Sequence, residues 1–357
     1  MTHTSWNTQT INPSVSAKVY SRRFWFLLGS SVLLLAVLFT LHVGIGRVQL
    51  TPTQVIAALQ NQPEEPFHRQ IVWELRLPRG LIAAAAGALL GLAGAILQAI
   101  LRNPLASPEL SGVTGGGVLL IALWLLLRPE ALDTPPIFLP LLAVLGGLLA
   151  GWIVYALSWH GGTRPARLAL VGILVGFILS TLVSMIVLIR PSSLGGILTW
   201  IIGSLNGRVW SHWEMLYPWA LVTLPLGLAS AGLANVLHLG DEIARGLGVH
   251  VERTRLLLFG MAALLTAGAA AVVGALGFVG LIAPHIARQL VGSDARRLFP
   301  ISLVFGACLL LAADVAAQAI TINPPFQAAP ARAGLPVGAV TAFIGAPFFI
   351  YLARRRR

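Results

Sequence analysis

Asp314 is the strongest candidate for an ionisable residue that lies within an apolar stretch of this sequence, and Gln318 follows it one helical turn later. Ionisable side chains are costly inside a membrane, so such a carboxylate can mark proton or ion coupling. The alternative is an interhelical hydrogen bond that is shielded from lipid. His285, with Arg288 nearby, also leaves two interpretations open: a metal or proton site, or a brace between helices next to Pro284.

The sequence lacks the residues that several classes of chemistry require. The only lysine is Lys18, whereas a nucleotide-binding P-loop requires a lysine after a glycine-rich turn. The only cysteine is Cys308, so neither a disulfide nor a cysteine-based metal site can form. No spacing of polar residues in the apolar stretches pairs a nucleophile with a base. We therefore expect no catalytic residue, no metal site and no cofactor, and any energy must come from a partner.

The segment Arg76-Leu77-Pro78-Arg79 places two arginines at the start of an apolar stretch. Proline suits the first turn of a helix, where its missing N–H would lack a partner in any case. The arginines either anchor on phosphate headgroups or form a cationic patch that docks an acidic surface of an external partner. These residues alone leave both interpretations open.

A short helix is predicted in the longest loop that we expect on the inner side. Asp241 and Glu242 stand where the helix dipole favours acidic groups, Arg245 stands in the last turn, and glycines can end the helix. A short amphipathic helix suits a groove on a partner subunit, and a solvated connector is the alternative. The whole segment is Leu239, Gly240, Asp241, Glu242, Ile243, Ala244, Arg245, Gly246, Leu247 and Gly248.

The segment Asn103-Pro104-Leu105-Ala106 follows another apolar stretch. Proline stops the helix and leaves carbonyl groups unpaired, which is tolerated where the backbone faces protein or a watery cavity. The segment is therefore either a gate or a plain interfacial turn.

Composition indicates the elements that must position these residues. Of the 357 residues, 57% are apolar and 10% are charged, whereas a soluble domain carries roughly 25% charged residues. Runs such as 24–43 lack the alternation of a transmembrane β-barrel. The sequence predicts an all-α polytopic membrane protein with about ten transmembrane helices. The predicted segments are 24–43, 78–101, 112–127, 137–158, 165–189, 215–236, 254–275, 277–291, 298–318 and 336–353.

The basic residues predict the orientation of the chain. With both termini in the cytoplasm, sixteen of the 24 basic residues lie on the inner side. They stand singly or in pairs between apolar runs, which argues against a nucleic-acid partner despite the net charge of +12. The predicted organisation is a polar cytoplasmic N-terminal tail (1–23), a single transmembrane domain (24–353) and a basic cytoplasmic C-terminus (354–357).

Small residues at four-residue spacing, such as Gly87, Gly91 and Ala95, predict close packing between helices. The sequence 86–88, with a proline at 104, also resembles 267–269, with a proline at 284. The two segments are expected to cross the membrane in opposite directions, as in the inverted repeats of transporters.

Four stretches, taken in order, resemble the permease family of binding-protein-dependent ABC importers for iron-siderophores, haem and vitamin B12. The resemblance covers about residues 24 to 353. Its most specific parts are Arg76-Leu77-Pro78-Arg79 through Asn103-Pro104-Leu105-Ala106, Leu239-Gly240 through Leu247-Gly248, Gly277-Phe278-Val279-Gly280-Leu281-Ile282-Ala283-Pro284-His285, and Leu335-Pro336-Val337-Gly338 through Gly345-Ala346-Pro347.

The resemblance implies a multi-pass subunit of the bacterial cytoplasmic (inner) membrane that pairs with a second permease subunit, identical or different. Two ATP-binding subunits would lie on the cytoplasmic side, and a periplasmic or extracellular substrate-binding protein would dock on the other. By similarity, Arg76 and Arg79 would dock that protein and 239–248 would be the coupling helix on the ATPase. Asn103, Pro104 and Leu105 would form the cytoplasmic gate. Because ATP hydrolysis belongs to a separate subunit, the chain is not expected to be an enzyme.

The sequence departs from this family in one region. The family usually has an arginine at the outer end of the ninth helix and Glu-Leu-Pro before the tenth, where this chain has Gln318 and Gly334. Arg332 is then the candidate for a third docking cation.

The expected cargo is an iron chelate, with a siderophore first and cobalamin or haem as alternatives. Two other classes of function stay open: an ion-gradient-driven secondary carrier that uses Asp314, and a membrane scaffold that conducts no substrate.

Overall fold

The computed structural model describes residues 13–46, 48, 50–62, 65–128, 138–189, 194–322 and 334–354. Within these ranges the chain forms fifteen α-helices and no β-strand. A π-helical turn, Ile71–Arg76, and a 3₁₀ turn, Pro108–Ser111, complete the helical elements. The α-helices are α1 (Pro13–Gly44), α2 (Pro52–Leu59), α3 (Pro66–Gln70), α4 (Leu77–Leu101), α5 (Val113–Leu127), α6 (Phe138–Ser158), α7 (Pro165–Ile189), α8 (Leu194–Ile202), α9 (Trp210–Ala229), α10 (Ala231–His238), α11 (Asp241–Gly246), α12 (Val251–Val273), α13 (Val279–Val291), α14 (Ala295–Ile322) and α15 (Val337–Arg354).

All ten predicted segments coincide with helices. Six helical stretches of the described chain are long and apolar enough to cross a membrane, and α9 with α10, bent by 42°, would make a seventh. The other three segments correspond to the shorter helices α5, α13 and α15. An all-helical polytopic membrane protein is confirmed, while the count of ten crossings and the cytoplasmic termini stay predictions.

Helix α4 lies at the centre of the bundle. In the most apolar part of the stretch Pro66–Leu101, 83% of the residues are buried, and α4 packs against α9, α12, α13 and α14. Small residues allow the close approach, because a Cβ atom on Gly87 would overlap the carbonyl oxygen of Gly306, and one on Gly94 would overlap that of Gly280. The predicted tight packing is confirmed.

Helices α1 and α7 lie at the periphery. Only 6% of the residues are buried in the most apolar window of α1, and 22% in that of α7. Apolar side chains such as Phe177 and Leu188 are 69% and 80% exposed. These faces are available to lipid or to another subunit.

The bundle has two ends, which α4 joins over about 38 Å of helical rise. The end with Arg76, Arg79, Arg208 and Gly334 is called the rim. The other end, with Arg102, α11 and the first residues of α12, is called the α11 end. Helix α12 starts there and finishes beside Ser204 near the rim, where Ser204 N donates to Val273 O over 2.8 Å. Helices α4 and α12 thus run in opposite directions, as predicted.

Candidate functional site

Arg76 caps the end of α1 at the rim. Its side chain is buried, and its Nη1 donates to the carbonyl oxygens of Val43 and Gly44, both at 2.8 Å, while Nη2 donates to that of Val48. The last carbonyl groups of a helix have no partner within it, and the helix dipole favours a cation there. The charge of Arg76 is therefore engaged inside the fold.

Arg79, one turn later, pairs with Asp314 of α14. Arg79 Nε lies 2.8 Å from Asp314 Oδ2, and Nη2 lies 2.7 Å from Oδ1, which is a bidentate ion pair. His42 Nε2 is 2.7 Å from Oδ2, Gln318 Nε2 donates to the same oxygen over 3.1 Å, and Asp314 is fully buried. The network joins α1, α4 and α14, so the interhelical contact expected as one of the two alternatives is present, and ion coupling by Asp314 stays a hypothesis.

The sequence-based interpretations of Arg76 and Arg79 both assumed side chains that reach outward. The structure instead gives both guanidinium groups partners within the chain, because the end of α1 and the carboxylate of Asp314 lie next to the first turn of α4. Docking of an external protein by these two residues stays a prediction. Arg332, the third predicted docking residue, lies outside the described residues.

A pocket of about 410 Å³ opens among the rim segments. Three arginines line it, together with the amides of Asn206 and Gln318, and the lining residues that the structure describes include no carboxylate. The lining residues are Gly46, Val48, Ile71, Leu75, Arg76, Arg79, Asn206, Gly207, Arg208, Val209, Ala317, Gln318, Gly334 and Leu335.

The predicted short helix of segment 239–248 is present as α11, and Asp241 fastens it to the bundle. The Asp241 carboxylate accepts hydrogen bonds of 2.8 and 2.9 Å from Arg255 Nη2, and a further one from Arg102 at the end of α4. Partial burial opposes ionisation, but the hydrogen bonds and charges of Arg255 and Arg102 outweigh it and hold the pKa of Asp241 below its usual value. Asp241 thus links α11 to both α4 and α12.

Arg255 extends this attachment to a third segment. Its side chain is fully buried, and Nη1 donates to the carbonyl oxygen of Thr163. Glu252 accepts from the Thr163 backbone N over 2.9 Å and from its hydroxyl over 2.7 Å. The base of α11 is therefore held by the chain before α7, by α12 and by α4.

The opposite face of this segment is apolar and exposed. Leu239, Ile243 and Leu247 are 57%, 53% and 60% exposed, whereas Ala244 is fully buried toward the bundle. Ile243 lies on α11, and Leu239 and Leu247 lie just before and just after it. These three exposed side chains are called here the α11 stripe. Sequence reasoning selected the segment but did not give Ile243 a role, although the four-residue spacing was the available signal.

The predicted gate segment forms a turn at the α11 end. Asn103 Oδ1 accepts from the backbone N of Leu105 over 3.0 Å, and Asn103 O accepts from Ala106 N over 3.0 Å. Pro104 and Leu105 are half-buried there. The turn is confirmed, and its role as a gate stays a prediction.

Glu109 is a residue that sequence reasoning missed. It accepts from Ser107 Oγ and from the backbone N of Phe278, both over 2.9 Å. The second bond joins the segment after the turn to the residue that precedes α13, although the partners are 169 residues apart. Such a long-range partner leaves no local signal in the sequence.

His285 takes the bracing role of its two alternatives. Its ring meets that of Phe348 of α15 edge-on, with centroids 5.7 Å apart, and its Nε2 lies 2.9 Å from Gln289 Nε2. Across the described ranges, no three His, Cys, Asp or Glu residues group in a way that could hold a metal ion.

Comparison with known proteins places this geometry in a family. The model of the FecCD transport family matches residues 34–355. The chain is 36% identical over 344 residues to the Fe(3+)-citrate import system permease protein YfmD of Bacillus subtilis (strain 168), which covers 96% of this chain and 98% of that one. It is 38% identical over 322 residues to the Fe(3+) dicitrate transport system permease protein FecD of Escherichia coli (strain K12), covering 90% and 95%.

Two further matches are a relative that is named for a different cargo and a solved structure. The cobalamin import system permease protein BtuC of Halobacterium salinarum is 39% identical over 288 residues, covering 80% of this chain and 74% of that one. A metal-chelate type ABC transporter solved in an inward-facing conformation superposes with a TM-score of 0.78 at 29% identity, covering 92% of this chain and 98% of that one. From these matches, the chain belongs to the FecCD transport family, whose members are permease components of ABC importers.

Proposed function

We propose that this chain forms the translocation pathway for an iron chelate in an ABC importer of the bacterial cytoplasmic membrane. The observation that carries the proposal is the α11 stripe, a set of exposed apolar side chains on and beside a helix that is fastened to α4 and α12. Names of relatives support the cargo class, since they include Fe(3+)-citrate, hydroxamate and achromobactin systems. A siderophore is the first expectation, and cobalamin or haem are the alternatives.

The α11 stripe suits a groove on an ATP-binding subunit. Exposed apolar anchors supply the affinity when a short helix binds in a groove. Because Asp241 ties α11 to α4 and α12, a displacement of α11 by the ATPase moves those helices too. ATP binding then shifts the permease between two states through a difference in binding free energy, and no bond is made or broken in this chain.

The remaining predicted roles complete the proposed assembly. A substrate-binding protein docks at the rim, with Arg76, Arg79 and Arg332 as the predicted docking residues. A second permease subunit, identical or different, covers apolar surface at the periphery, and the exposed face of α7 supports this pairing. Asn103, Pro104 and Leu105 close the cytoplasmic end of the pathway.

Uptake of a radiolabelled iron chelate into proteoliposomes tests the proposal. The vesicles would contain the chain with its partner permease, ATPase and substrate-binding protein. We expect uptake that requires internal ATP and that persists when an uncoupler dissipates ion gradients. Gradient-driven uptake by the chain alone would identify a secondary carrier that uses Asp314, and absence of flux under every form of energisation would identify a scaffold. Either result would overturn the proposal.

A further inference from the structure

A second arginine-lined pocket, called here the basic pocket, lies where α1, α13 and α14 meet, and it has a volume of about 240 Å³. It lies at the α11 end, because Nη2 of Arg288 in its lining donates over 3.3 Å to Oε1 of Gln98 in the last turn of α4. The lining residues that the structure describes include no carboxylate; they are Arg23, Phe24, Arg288, Gln289, Leu290, Val291, Gly292 and Arg297.

The three arginines of the basic pocket come from the ends of three helices. The apolar stretches that are long enough to cross a membrane begin at Arg22 in α1 and at Ala295 in α14. Arg23 and Arg297 therefore stand in the first turn of these stretches, and Arg288 stands in the last turn of α13. The basic pocket thus lies at the level where the hydrocarbon of a bilayer meets the polar headgroups.

The described residues offer little negative charge to these three cations. Besides the Gln98 amide, Arg288 donates to the uncharged Oγ of Ser293 over 3.2 Å. Arg297 is 36% exposed, and its Nε makes only a loose contact of 3.8 Å with Oδ2 of Asp294. Arg23 is exposed and takes part in no ion pair between residues that the structure describes. The donors of Arg23 and Arg297 are therefore open to an anion.

The surface that borders the basic pocket is apolar. Trp25 and Phe26, directly after Arg23, are 64% and 74% exposed, and Leu33, further along α1, is 66% exposed. Because only 6% of the most apolar window of α1 is buried, acyl chains can lie along this helix below the pocket. A tryptophan beside a basic residue at the end of a membrane-spanning stretch is typical of the headgroup level.

We propose that the basic pocket binds the headgroup of an anionic phospholipid, with Arg23 and Arg297 as donors to its phosphate oxygens. A guanidinium group can donate two parallel hydrogen bonds to a phosphate, and basic pockets between transmembrane helices suit anionic headgroups. Arg288 is held by its two neutral acceptors and adds positive charge to the wall. The site goes beyond the proposed function, because it concerns the surrounding lipid and neither the cargo nor a partner subunit.

The combination of charge and position favours a lipid over a protein partner. An acidic protein surface would also complement three arginines, but it would not use the exposed apolar side chains that follow Arg23 into the membrane. A phospholipid uses both features at once, since its phosphate meets the arginines and its acyl chains meet α1. Net negative charge further distinguishes an anionic phospholipid from a zwitterionic one, whose own cation the arginines would repel.

The test compares two double variants that remove the same charge from the same two helices. The pocket variant is Arg23→Gln with Arg297→Gln, and the control variant is Arg22→Gln with Arg296→Gln. Arg22 and Arg296 are exposed neighbours that do not line the pocket. Native mass spectrometry of the full chain in detergent would measure the Kd of phosphatidylglycerol and of phosphatidylcholine with the same acyl chains. Thermal unfolding in detergent without lipid confirms that each variant is folded.

We expect the unmodified chain to bind phosphatidylglycerol about tenfold more tightly than phosphatidylcholine. The pocket variant should lose about tenfold in affinity for phosphatidylglycerol, and the control variant less than about threefold. Arg23→Lys with Arg297→Lys keeps both charges and should recover much of the lost affinity, although a lysine cannot donate in the paired geometry of a guanidinium group.

Four outcomes would overturn the inference. Equal affinity for the two lipids would remove the preference for an anion, and equal losses in both double variants would assign the attraction to the general surface charge. Inorganic phosphate that displaces phosphatidylglycerol at equal concentration would assign the pocket to a soluble anion. Weaker binding of the ATPase by the pocket variant, with unchanged lipid binding, would assign these arginines to a partner subunit.

Discussion

The rim and the α11 end both contain ion pairs between arginine and aspartate, but these pairs have different roles at the two ends. At the rim, the Arg79–Asp314 pair joins helices of the bundle, and its carboxylate is fully buried. At the α11 end, Asp241 is 27% exposed and its pairs with Arg102 and Arg255 fasten a protruding helix. What remains for a partner is then a cation in the rim pocket and an apolar stripe on α11. An arginine in a motif is therefore informative only once its counter-ion is known.

The largest expected effect is the loss of stability when the Arg79–Asp314 pair is broken. Arg79→Gln leaves the Asp314 carboxylate buried without its cation, which should lower the free energy of unfolding by about 3–5 kcal/mol. Thermal and denaturant unfolding of the detergent-solubilised protein measures this. The double variant Arg79→Gln with Asp314→Asn should recover much of the loss. A single variant as stable as the unmodified chain would show that the pair contributes nothing inside the fold.

The next effect tests the α11 stripe. Ile243→Ala removes a central apolar anchor from the proposed ATPase contact, which should weaken ATPase binding by about tenfold to thirtyfold. Leu257→Ala is a matched control, because Leu257 is 63% exposed on α12 and outside the stripe. Pull-down with the purified ATPase and coupled uptake are the measurements. Equal losses in both variants, or none in Ile243→Ala, would mean that the segment is only a connector.

Acidification tests the attachment of α11. Because the folded-state pKa of Asp241 lies below its ordinary value of 3.8, its contribution to stability is complete above that value. It is lost as the pH falls through the lower folded-state pKa, and Arg102 and Arg255 then lose their shared anion. Hydrogen exchange of the α11 amides should accelerate in that range, after correction for intrinsic rates.

Asp241→Asn is the control for this dependence. It should show fast exchange of α11 at neutral pH and little further change on acidification. A variant that still shows the acid-induced step would assign the step to another group.

The smallest expected effect is a difference in the salt dependence of binding at the two partner surfaces. Docking through a cation is screened by ions, whereas docking through an apolar stripe is not. Raising the ionic strength from about 50 to about 300 mM should weaken binding-protein docking by about tenfold and ATPase docking by less than about threefold. Equal salt dependence at both ends would remove the distinction between them.

Local patterns made most of the helical architecture predictable. The segment 165–189 matches α7 at both ends, since Pro165 begins a long apolar run. The short helix of segment 239–248 was predictable from its acidic first turn, its basic last turn and its flanking glycines. In both cases the signal lies within one turn of the residues that it describes.

The roles that were not predictable depend on partners far apart in the chain. Arg79 and Asp314 are 235 residues apart, and Glu109 and Phe278 are 169 apart. Arg208 is one of several isolated arginines in the sequence, and its place in the rim pocket, whose described lining residues include no carboxylate, follows only from the fold. Pairing across a helical bundle is set by packing, which one sequence does not display.

The rim and α11 must lie on opposite sides of the membrane if one meets the substrate-binding protein and the other meets the ATPase. Single cysteines, Arg69→Cys at the rim and Ile243→Cys on α11, would be placed in a Cys308→Ser background and labelled with a membrane-impermeant maleimide. We expect Arg69→Cys to react in right-side-out vesicles and Ile243→Cys to react only in inverted ones. Labelling of both positions from the same side would contradict the account.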